Sequence, residues 1–357
     1  MEKVKLGDIC EVFSGFAFKT FNEDKQGKPV IKIGNIQIDG KISLEECSYT
    51  KEIPQEKYFS KVNDIYIALS GATTGKVGIM EQGDFLINQR VGVVRLKNNN
   101  IPINYLFSFL KSKTVTILQD AFGAAQPNIS PKDILNYEIP LPSLEEQKAI
   151  AGKLDKVSGL IEKRKTQLEK LDLLIKSRFI EMFGDPIKNS NDRSTTEFIN
   201  VVKMQRGFDL PVQDRVQNGK IPVFGSNGAL DRHNVAKVFG GGVITGRSGT
   251  IGRVYYTEGD YWPLNTSLFS VDTHGNNIIY LAHLLQLFDL SRFTEGTGVP
   301  TLNRNKFHNQ QIIDVPLDEQ EDFATFVKQV DKSKFEIQKS LEKLEILKKS
   351  LMQQYFG

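Results

Sequence analysis

The chain is 357 residues long, with 39% hydrophobic and 25% charged residues, 23 phenylalanines and a formal net charge of +3. This length exceeds what one core usually organises, and the composition is that of a globular protein, so we expect at least two folded domains. Apolar runs stay well short of the roughly 18 residues that a membrane span needs, and the first residues lack the apolar segment of a signal peptide. We therefore expect a cytoplasmic protein with no membrane partner.

Cysteine and histidine are scarce in this sequence. Cys10 and Cys47 do not form a CxxC pair, and the four histidines are scattered between positions 233 and 308. The sequence thus predicts neither a disulfide framework nor a metal site. Its mildly basic charge is compatible with a nucleic-acid partner but does not require one.

Short runs of alternating or β-branched residues, interrupted by Gly, Asn and Pro, predict strands in two separate stretches. In the first stretch they are VIKIG, DIYIAL and GVVRL, followed by a predicted helix at 104–112. A proline-containing segment, EIPLPS, then leads into a long helical segment. The second stretch repeats this order with GGVIT, RVYYT and SLFSV, a predicted helix at 279–288, the segment IIDVPLDE and a second long helix.

An internal repeat explains this recurring order. LEKLDLLIKSRFIEMFG (168–184) aligns without a gap with LEKLEILKKSLMQQYFG (341–357), at an offset of 173 residues. Further upstream the match loosens: SGATTGKVGI (70–79) resembles TGRSGTIGRV (245–254), and Asn88 and Asn265 each precede a strand-like run. Because self-similarity at a fixed period marks repeated structural units, we expect two modules with one fold and different side chains.

Both long segments carry an apolar seam with the alternating spacing of three and four residues that is typical of a coiled coil. The apolar seam residues are Ile150, Leu154, Val157, Ile161, Leu168, Leu171, Ile175, Phe323, Val327, Val330, Ile337, Leu341, Leu344 and Leu351. Arg164 and Arg178 interrupt the first seam, and Lys334 and Lys348 interrupt the second at other positions, so neither helix is self-sufficient. Two equivalent helices that each follow a module pair most simply antiparallel, with a pseudo-twofold axis relating the modules. Since the first helix extends on the order of 60 Å, we expect a rod with one module at each end.

Sequence spacing argues against catalytic and cofactor motifs. SGATTGK (70–76) has too few residues between its glycines for a phosphate-binding loop, and Val77 stands where that loop needs Ser or Thr. GRSGTIG (246–252) lacks the G-x-G-x-x-G spacing of a dinucleotide site. The sequence also lacks the Asn-Pro-Pro-aromatic motif of adenine methyltransferases and a nuclease motif. We therefore expect a chain with no enzymatic activity and no cofactor.

The loops of both modules are rich in amide, hydroxyl and basic side chains. Amides and arginine pair with base edges, whereas lysine, serine and threonine hold phosphates. The candidate DNA-binding residues are Lys19, Ser70, Thr73, Thr74, Lys76, Asn88, Gln89, Arg90, Gln126 and Asn128 in the first module, and Arg206, Ser226, Asn227, Arg247, Ser248, Thr250, Asn265, Thr301, Asn303 and Arg304 in the second. Structural roles are the alternative for single residues: glycines in turns, Phe16, Phe18 and Phe208 in packing, and Asn88 and Asn265 as loop caps. Recurrence in both modules favours DNA binding.

Four passages carry a family resemblance across essentially the whole chain. They are VKLGDICEVFSGFAFKT, GATTGKVG with INQRVG, QPNISPKDILNYEIPLPSLEEQKAIAGKLD, and the duplicated helix ending EKL…KS…FG. Together they resemble the specificity subunits of type I restriction-modification systems, the last two passages being the more specific. The second module departs from the first, with FGSNGALDRHNVAKVFGGG before TGRSGTIG. The target of one module therefore does not transfer to the other.

The resemblance implies an α+β fold with two mixed α/β target-recognition domains with β-rich cores, at 1–142 and 185–318, and antiparallel coiled-coil helices at 143–184 and 319–357. It implies that each domain reads one half of a bipartite, asymmetric site in double-stranded DNA and that the helices set the spacer. Two modification subunits, which bind S-adenosylmethionine and methylate adenine, dock on such a chain, and ATP-driven restriction subunits complete the nuclease. The alternative is a specificity module of another DNA-targeting methylation or defence system, which the neighbouring genes would distinguish.

Overall fold

The computed structural model describes residues 2–22, 25–80, 82–121, 127–296 and 300–357. The chain divides into two compact units. The first unit contains residues 1–164 and 340–357, and the second contains residues 165–339. Each unit thus includes one module and part of both long helices, whereas the predicted boundaries treat the two helices as separate segments. The helices divide between the units because their apolar residues complete the core of each unit.

Short elements precede the first long helix. They are β1 (Lys3–Lys5), α1 (Leu6–Ile9), β2 (Cys10–Ser14), β3 (Lys28–Ile31), β4 (Ser48–Thr50), β5 (Ile65–Ala68), β6 (Val77–Ile79), β7 (Leu86–Ile87), β8 (Val91–Leu96), α2 (Ile103–Ser112), α3 (Thr114–Asp120), α4 (Pro131–Leu135) and β9 (Glu138–Pro140). The predicted helix at 104–112 is confirmed as α2.

Two sheets and a strand pair organise the first unit. The larger sheet has the antiparallel order β2-β8-β5-β6, and the smaller sheet has the order β4-β3-β7, in which β3 runs parallel to β7. β5 is buried along its whole length, as its apolar sequence IYIA requires. β1 pairs antiparallel with β9, which brings the start and the end of the module together.

A second set of elements lies between the two long helices. They are β10 (Thr195–Glu197), α6 (Phe198–Val201), β11 (Lys203–Arg206), β12 (Ile221–Gly225), β13 (Gly228–His233), β14 (Gly242–Gly246), β15 (Val254–Thr257), β16 (Trp262–Pro263), β17 (Ser267–Asp272), α7 (Ile278–Phe288), β18 (Thr294–Glu295), β19 (Thr301–Leu302), α8 (Arg304–His308) and β20 (Gln311–Ile313). The predicted helix at 279–288 is confirmed as α7.

The second unit repeats the topology of the first. Its larger sheet has the antiparallel order β11-β17-β14-β15, and its smaller sheet has the order β13-β12-β16 with β12 parallel to β16. β10 pairs antiparallel with β20, as β1 does with β9. The predicted duplication of one fold is therefore confirmed strand by strand. The pair β18-β19 has no counterpart among the strands described in the first unit.

The long helices are α5 (Leu144–Phe183) and α9 (Leu317–Phe356), each of 40 residues. Their N-terminal first turns are acidic, which favours the positive end of the helix dipole. α5 begins at a capping box. The Glu146 carboxylate accepts a hydrogen bond from the Ser143 N–H (3.0 Å), and the Ser143 hydroxyl accepts one from the Glu146 N–H (3.3 Å).

Contacts inside each unit show that α5 and α9 pair antiparallel. In the first unit, Ile150 and Leu154, near the start of α5, share a core with Phe356 at the end of α9. In the second unit, Phe179 near the end of α5 lies edge-on to Phe323 near the start of α9, with ring centroids 5.4 Å apart. The predicted antiparallel pair is thus confirmed.

The predicted seam is covered along both helices. Its buried members are Ile150, Leu154, Val157, Ile161, Ile175, Phe323, Val327, Val330 and Leu341. Its half-buried members are Leu168, Leu171, Ile337, Leu344 and Leu351. The seam cation Lys334 is accommodated by an ion pair with Asp172 on the facing helix, with Nζ and the carboxylate oxygen 2.6 Å apart. A long stem lets such a side chain cover apolar surface while its charge reaches a partner.

The end of α9 completes the core of the first unit. The Phe356 ring lies 5.3 Å from that of Tyr105 and 5.8 Å from that of Phe109, both on α2. Lys113 Nζ donates a hydrogen bond to the Phe356 carbonyl (2.9 Å), which satisfies one of the last helix carbonyls. Residues far apart in sequence therefore form one core.

Two equivalent glycines lie where a neighbouring backbone passes too close for a side chain. A Cβ atom on Gly15, after β2, would lie 2.2 Å from the Ile87 carbonyl oxygen, and one on Gly207, after β11, would lie 2.3 Å from that of Leu264. Both glycines thus permit the same close crossing of two loops.

Replacing either crossing glycine should destabilise its unit. We expect Gly15→Ala to lower the free energy of unfolding by about 1–3 kcal/mol, because the carbonyl that the new Cβ meets belongs to the backbone and must shift. Gly159→Ala is the control: its Cβ meets nothing within 4 Å, and alanine favours a helix interior by about 0.5–1 kcal/mol. Urea titration of both variants measures the free energy of unfolding. Equal unfolding midpoints would contradict the claim that the backbone at Gly15 leaves no room for a side chain.

Candidate nucleic-acid interface

Four loops of the first unit meet at the ends of its strands. They are the loops 15–19, 69–76, 88–90 and 127–130. The Phe16 N–H donates to the Ile87 carbonyl (2.7 Å), and the Gln89 N–H donates to the Phe16 carbonyl (3.0 Å). The Ile129 N–H donates to the Leu69 carbonyl (2.9 Å). The Leu69 N–H also donates to the Arg90 carbonyl (2.9 Å), so these backbone bonds join the four loops into one cluster.

The first-unit candidates differ in exposure. Those with exposed or half-exposed positions are Lys19, Ser70, Thr73, Lys76, Gln89, Arg90 and Asn128. Thr74 and Asn88 are buried. The Thr74 hydroxyl donates to the Gly71 carbonyl (2.7 Å), and Asn88 Oδ1 accepts from the Arg90 N–H (3.2 Å), so both side chains shape the loops. Gln126 lies outside the described residues.

The second unit assembles the equivalent loops. They are 207–209, 247–252, 264–266 and 301–304, with the turn 226–227 beside them. The Phe208 N–H donates to the Pro263 carbonyl (2.8 Å), and the Asn265 N–H donates to the Phe208 carbonyl (2.9 Å). The Leu302 N–H donates to the Arg247 carbonyl (2.8 Å). The same backbone scaffold therefore presents a second loop cluster.

None of the second-unit candidates is buried. Arg206 and Asn227 are exposed. The half-exposed candidates are Ser226, Arg247, Ser248, Thr250, Asn265, Thr301, Asn303 and Arg304. The Asn265 side-chain amide donates to the Asp209 carboxylate, which fixes its orientation.

Backbone bonds also correct the pairing of asparagines between the modules. Asn265 bonds to Phe208 as Gln89 bonds to Phe16, so Gln89 is its structural equivalent. Asn88, which the sequence comparison set beside Asn265, lies one position earlier. An exposed amide at Gln89 and a half-exposed amide at Asn265 thus occupy the same place in the two units.

Structural equivalence adds a residue that the sequence analysis missed. Lys76 immediately precedes β6, and Arg253 immediately precedes the equivalent strand β15. Arg253 is exposed, and none of the described residues bonds to its guanidinium group. An alignment of GKV with GRV that allows one gap in this loop would have found it.

Aromatic residues of these loops pack within their own units. Phe18 is buried, and its ring centroid lies 5.1 Å from that of Phe16. Phe208 lies 5.7 Å from Phe269 on β17. These three phenylalanines therefore have the packing role that was the alternative to DNA binding.

A cleft of 330 Å³ in the second unit brings three arginines together. Arg206, Arg247 and Arg304 line it, together with Asn303 and Glu295. Within the described residues, no ion pair or side-chain hydrogen bond engages these three guanidinium groups. The pKa of Glu295 is lowered by hydrogen bonds from Lys306 and Asn303, so the carboxylate is ionised and already bound.

Within the described ranges, no cluster of three or more His, Cys, Asp or Glu side chains has the arrangement of a metal site. No helix in the described part of the chain is both long and apolar enough to cross a membrane.

The two units repeat one fold and the backbone bonds of its loops, whereas the loop side chains differ. The model of the type I restriction modification DNA specificity domain matches residues 1–171 and again 188–348. The chain therefore belongs to this family of specificity proteins.

Relatives of known function match about half of the chain. The type I restriction enzyme MjaVIII specificity subunit of Methanocaldococcus jannaschii is 36% identical over 182 residues, which cover 47% of this chain and 43% of the relative. The type I restriction enzyme EcoBI specificity subunit of Escherichia coli is 26% identical over 176 residues, which cover 49% of this chain and 36% of the relative. These alignments thus span less than half of each relative's length.

Solved structures share the fold over the whole chain. The type I restriction-modification system S subunit from M. genitalium superposes with a TM-score of 0.64 at 16% identity, covering 100% of this chain and 96% of that one. A chain from a study of complex assembly and conformational transition in a type I restriction-modification system gives a TM-score of 0.58 at 17% identity, with 99% and 97% covered.

Acid should weaken the second unit through its histidines. Buried His308 accepts a hydrogen bond at Nε2 from the Met204 N–H (3.1 Å). Burial, and then the charges of Arg304 and Lys203, lower its pKa, so the folded state favours the neutral ring. The unfolded ring takes up a proton near pH 6.5. The contribution of neutral His308 to the free energy of unfolding is therefore complete above about pH 6.5. It is lost as the pH falls towards the pKa of His308 in the folded state.

Urea midpoints at pH 7.5 and 5.5 check this dependence. We expect His308→Gln, whose amide oxygen can still accept from Met204, to reduce the loss of stability at pH 5.5. Some loss remains, because burial also lowers the pKa of His283. His274→Gln on the surface serves as the control. If both variants lose as much stability as the parent between pH 7.5 and 5.5, His308 is not the cause of the acid sensitivity.

Proposed function

We propose that the chain is a DNA sequence-specificity subunit in which each unit reads one half of a bipartite, asymmetric site. The observation that carries this proposal is the duplicated loop cluster. Its backbone bonds recur, with Phe16 in one unit and Phe208 in the other, while its polar side chains differ. A shared scaffold with different contacting groups is what two unlike half-sites require.

The loop side chains match the chemistry of duplex DNA. In the first unit, Gln89 and Asn128 offer amides that pair with adenine edges, and Arg90 offers a fork that pairs with guanine. All three are exposed, and within the described residues their side chains have no hydrogen-bond partner. Lys19 and Lys76 supply charge for phosphates, which position the protein without reading sequence.

In this proposal the chain recognises DNA and catalyses no reaction. Methyl transfer to adenine would come from modification subunits that bind S-adenosylmethionine, and cleavage from ATP-driven restriction subunits, as the family resemblance implies. Support comes from the glycine loops, whose spacing at Gly71 and Gly75 does not fit a nucleotide-binding motif. Work in such a complex also implies a cytoplasmic location, where the DNA is.

Repeated apolar surface on the helices supports two docking sites for modification subunits. Leu173 and Leu174 on α5 are 61% and 46% exposed. At the repeat offset of 173 residues, Ile346 and Leu347 on α9 are 69% and 45% exposed. Large apolar side chains that recur exposed at equivalent positions fit two copies of one partner. Each unit holds one such pair.

Mapping of methylated adenines tests the proposed function. The chain is co-expressed with the methyltransferase subunits of its genome, and host DNA is sequenced for the modification. We expect one split motif with a methylated adenine in each half. Gln89→Ala and Arg90→Ala should each relax one position of one half-site by roughly 1–3 kcal/mol and leave the other half unchanged.

Two outcomes would contradict this scheme. One is methyl transfer from labelled S-adenosylmethionine by the purified chain alone. The other is relaxation of both half-sites by Arg90→Ala. Lys57→Ala, an exposed lysine outside the loop cluster, is the matched control and should leave the motif unchanged.

We also infer that the paired helices set the number of base pairs between the half-sites. Seven residues inserted after Arg164, with seven more after Lys339, lengthen both helices by two turns and keep the seam in register. The added length is about 10 Å, close to three base pairs. The mapped motif should keep both half-sites and gain about three base pairs between them. An unchanged gap in a variant that still methylates would exclude the inference, and insertion after Arg164 alone controls for helix mismatch.

A further inference from the structure

The cleft lined by Arg206, Arg247 and Arg304 allows a more specific assignment, which rests on the proposed function. Arginine stays protonated at every physiological pH, so the cleft of 330 Å³ holds three positive charges. Glu295 at its edge is engaged by Lys306, with the charged atoms 2.5 Å apart. The balance of charge therefore favours a ligand with strong hydrogen-bond acceptors.

Three separate elements hold the arginines in place. Arg206 ends β11 and pairs across the sheet with Leu268. Arg247 is fixed on both sides of its peptide, since its N–H donates to Thr266 (2.9 Å) and its carbonyl accepts from Leu302 (2.8 Å).

The third arginine is anchored in the same way. Arg304 opens α8, behind Asn303, whose side chain accepts from the Asn305 N–H (3.1 Å) and donates to Glu295 (2.6 Å). The backbone positions of all three are thus set without using their guanidinium groups.

At the positions equivalent to these three arginines, the first unit has uncharged residues. Ser14 stands before Gly15 where Arg206 stands before Gly207, and Pro131 opens α4 where Arg304 opens α8. Leu69 makes the backbone bond that corresponds to that of Arg247. Three basic positions in one unit are therefore uncharged in the other.

We propose that this cleft reads a G·C base pair of the second half-site, with the Arg247 guanidinium donating to guanine O6 and N7. Among base edges, the two acceptors of guanine match the arginine fork. Arg247 is the half-buried arginine held by backbone bonds on both sides, which suits a base contact. Arg206 lines the same cleft and is exposed, which suits a phosphate contact.

A panel of DNA sites tests the assignment with the assembled methyltransferase complex. Each base pair of the second half-site is replaced in turn, and the rate of methylation is measured. We expect Arg247→Ala to reduce discrimination roughly 10- to 100-fold at one G·C pair and to leave the first half-site as selective as before. Arg247→Lys keeps the positive charge but removes the two parallel N–H donors of the guanidinium group, so it should lose the same discrimination. Arg232→Ala, outside the cleft, should change nothing.

Two results would overturn the assignment. In one, Arg247→Ala slows methylation of all sites alike and Arg247→Lys restores it, which indicates a phosphate contact. In the other, the relaxed position is an A·T pair, or no position relaxes. Failure of the proposed function is distinguishable, because the parent complex would then methylate no bipartite motif. Intact selectivity at the first half-site reports that the variants are folded.

Discussion

Each unit depends on the burial of apolar residues that another part of the chain supplies. Phe356 fills the core around α2, and Phe323 closes the core that Phe179 and Phe183 enter from α5. A heptad seam interrupted by charges cannot be buried by one helix, so α5 and α9 must pair. The pairing of the two helices and their division between the units both follow from this need.

The crossing at Gly15 and Gly207 fixes the loop backbone independently of the loop side chains. Close backbone contacts there fix the loops in both units through atoms that every residue possesses. Side chains such as Gln89 and Asn265 then project from equivalent positions and can differ without altering the scaffold. Under the proposed function, the half-site read by one unit can therefore change while the other unit keeps its own.

Sequence patterns predicted the parts of this structure that obey a period. The two long helices follow from seam spacings of three and four residues, and the duplication follows from an offset of 173 that loosens upstream. The helices α2 and α7 were predicted from the sequences NYLFSFLKS and IYLAHLLQLF. Loop details were not predictable in the same way. The equivalences of Gln89 with Asn265 and of Lys76 with Arg253 depend on small insertions, which backbone hydrogen bonds and strand positions resolve. The arginine cleft joins residues about 40 to 100 positions apart, for which no local pattern exists.

Arrangement along the chain also bears on how the protein folds during synthesis. The second unit is one continuous segment, 165–339, whereas the first needs residues 340–357 as well as 1–164. On the ribosome, the first module must wait for residues 340–357 to be synthesised before Phe356 reaches Tyr105 and Phe109. The later-translated unit can therefore complete its core first. In the interval, the earlier one exposes part of its interior to chaperones and proteases.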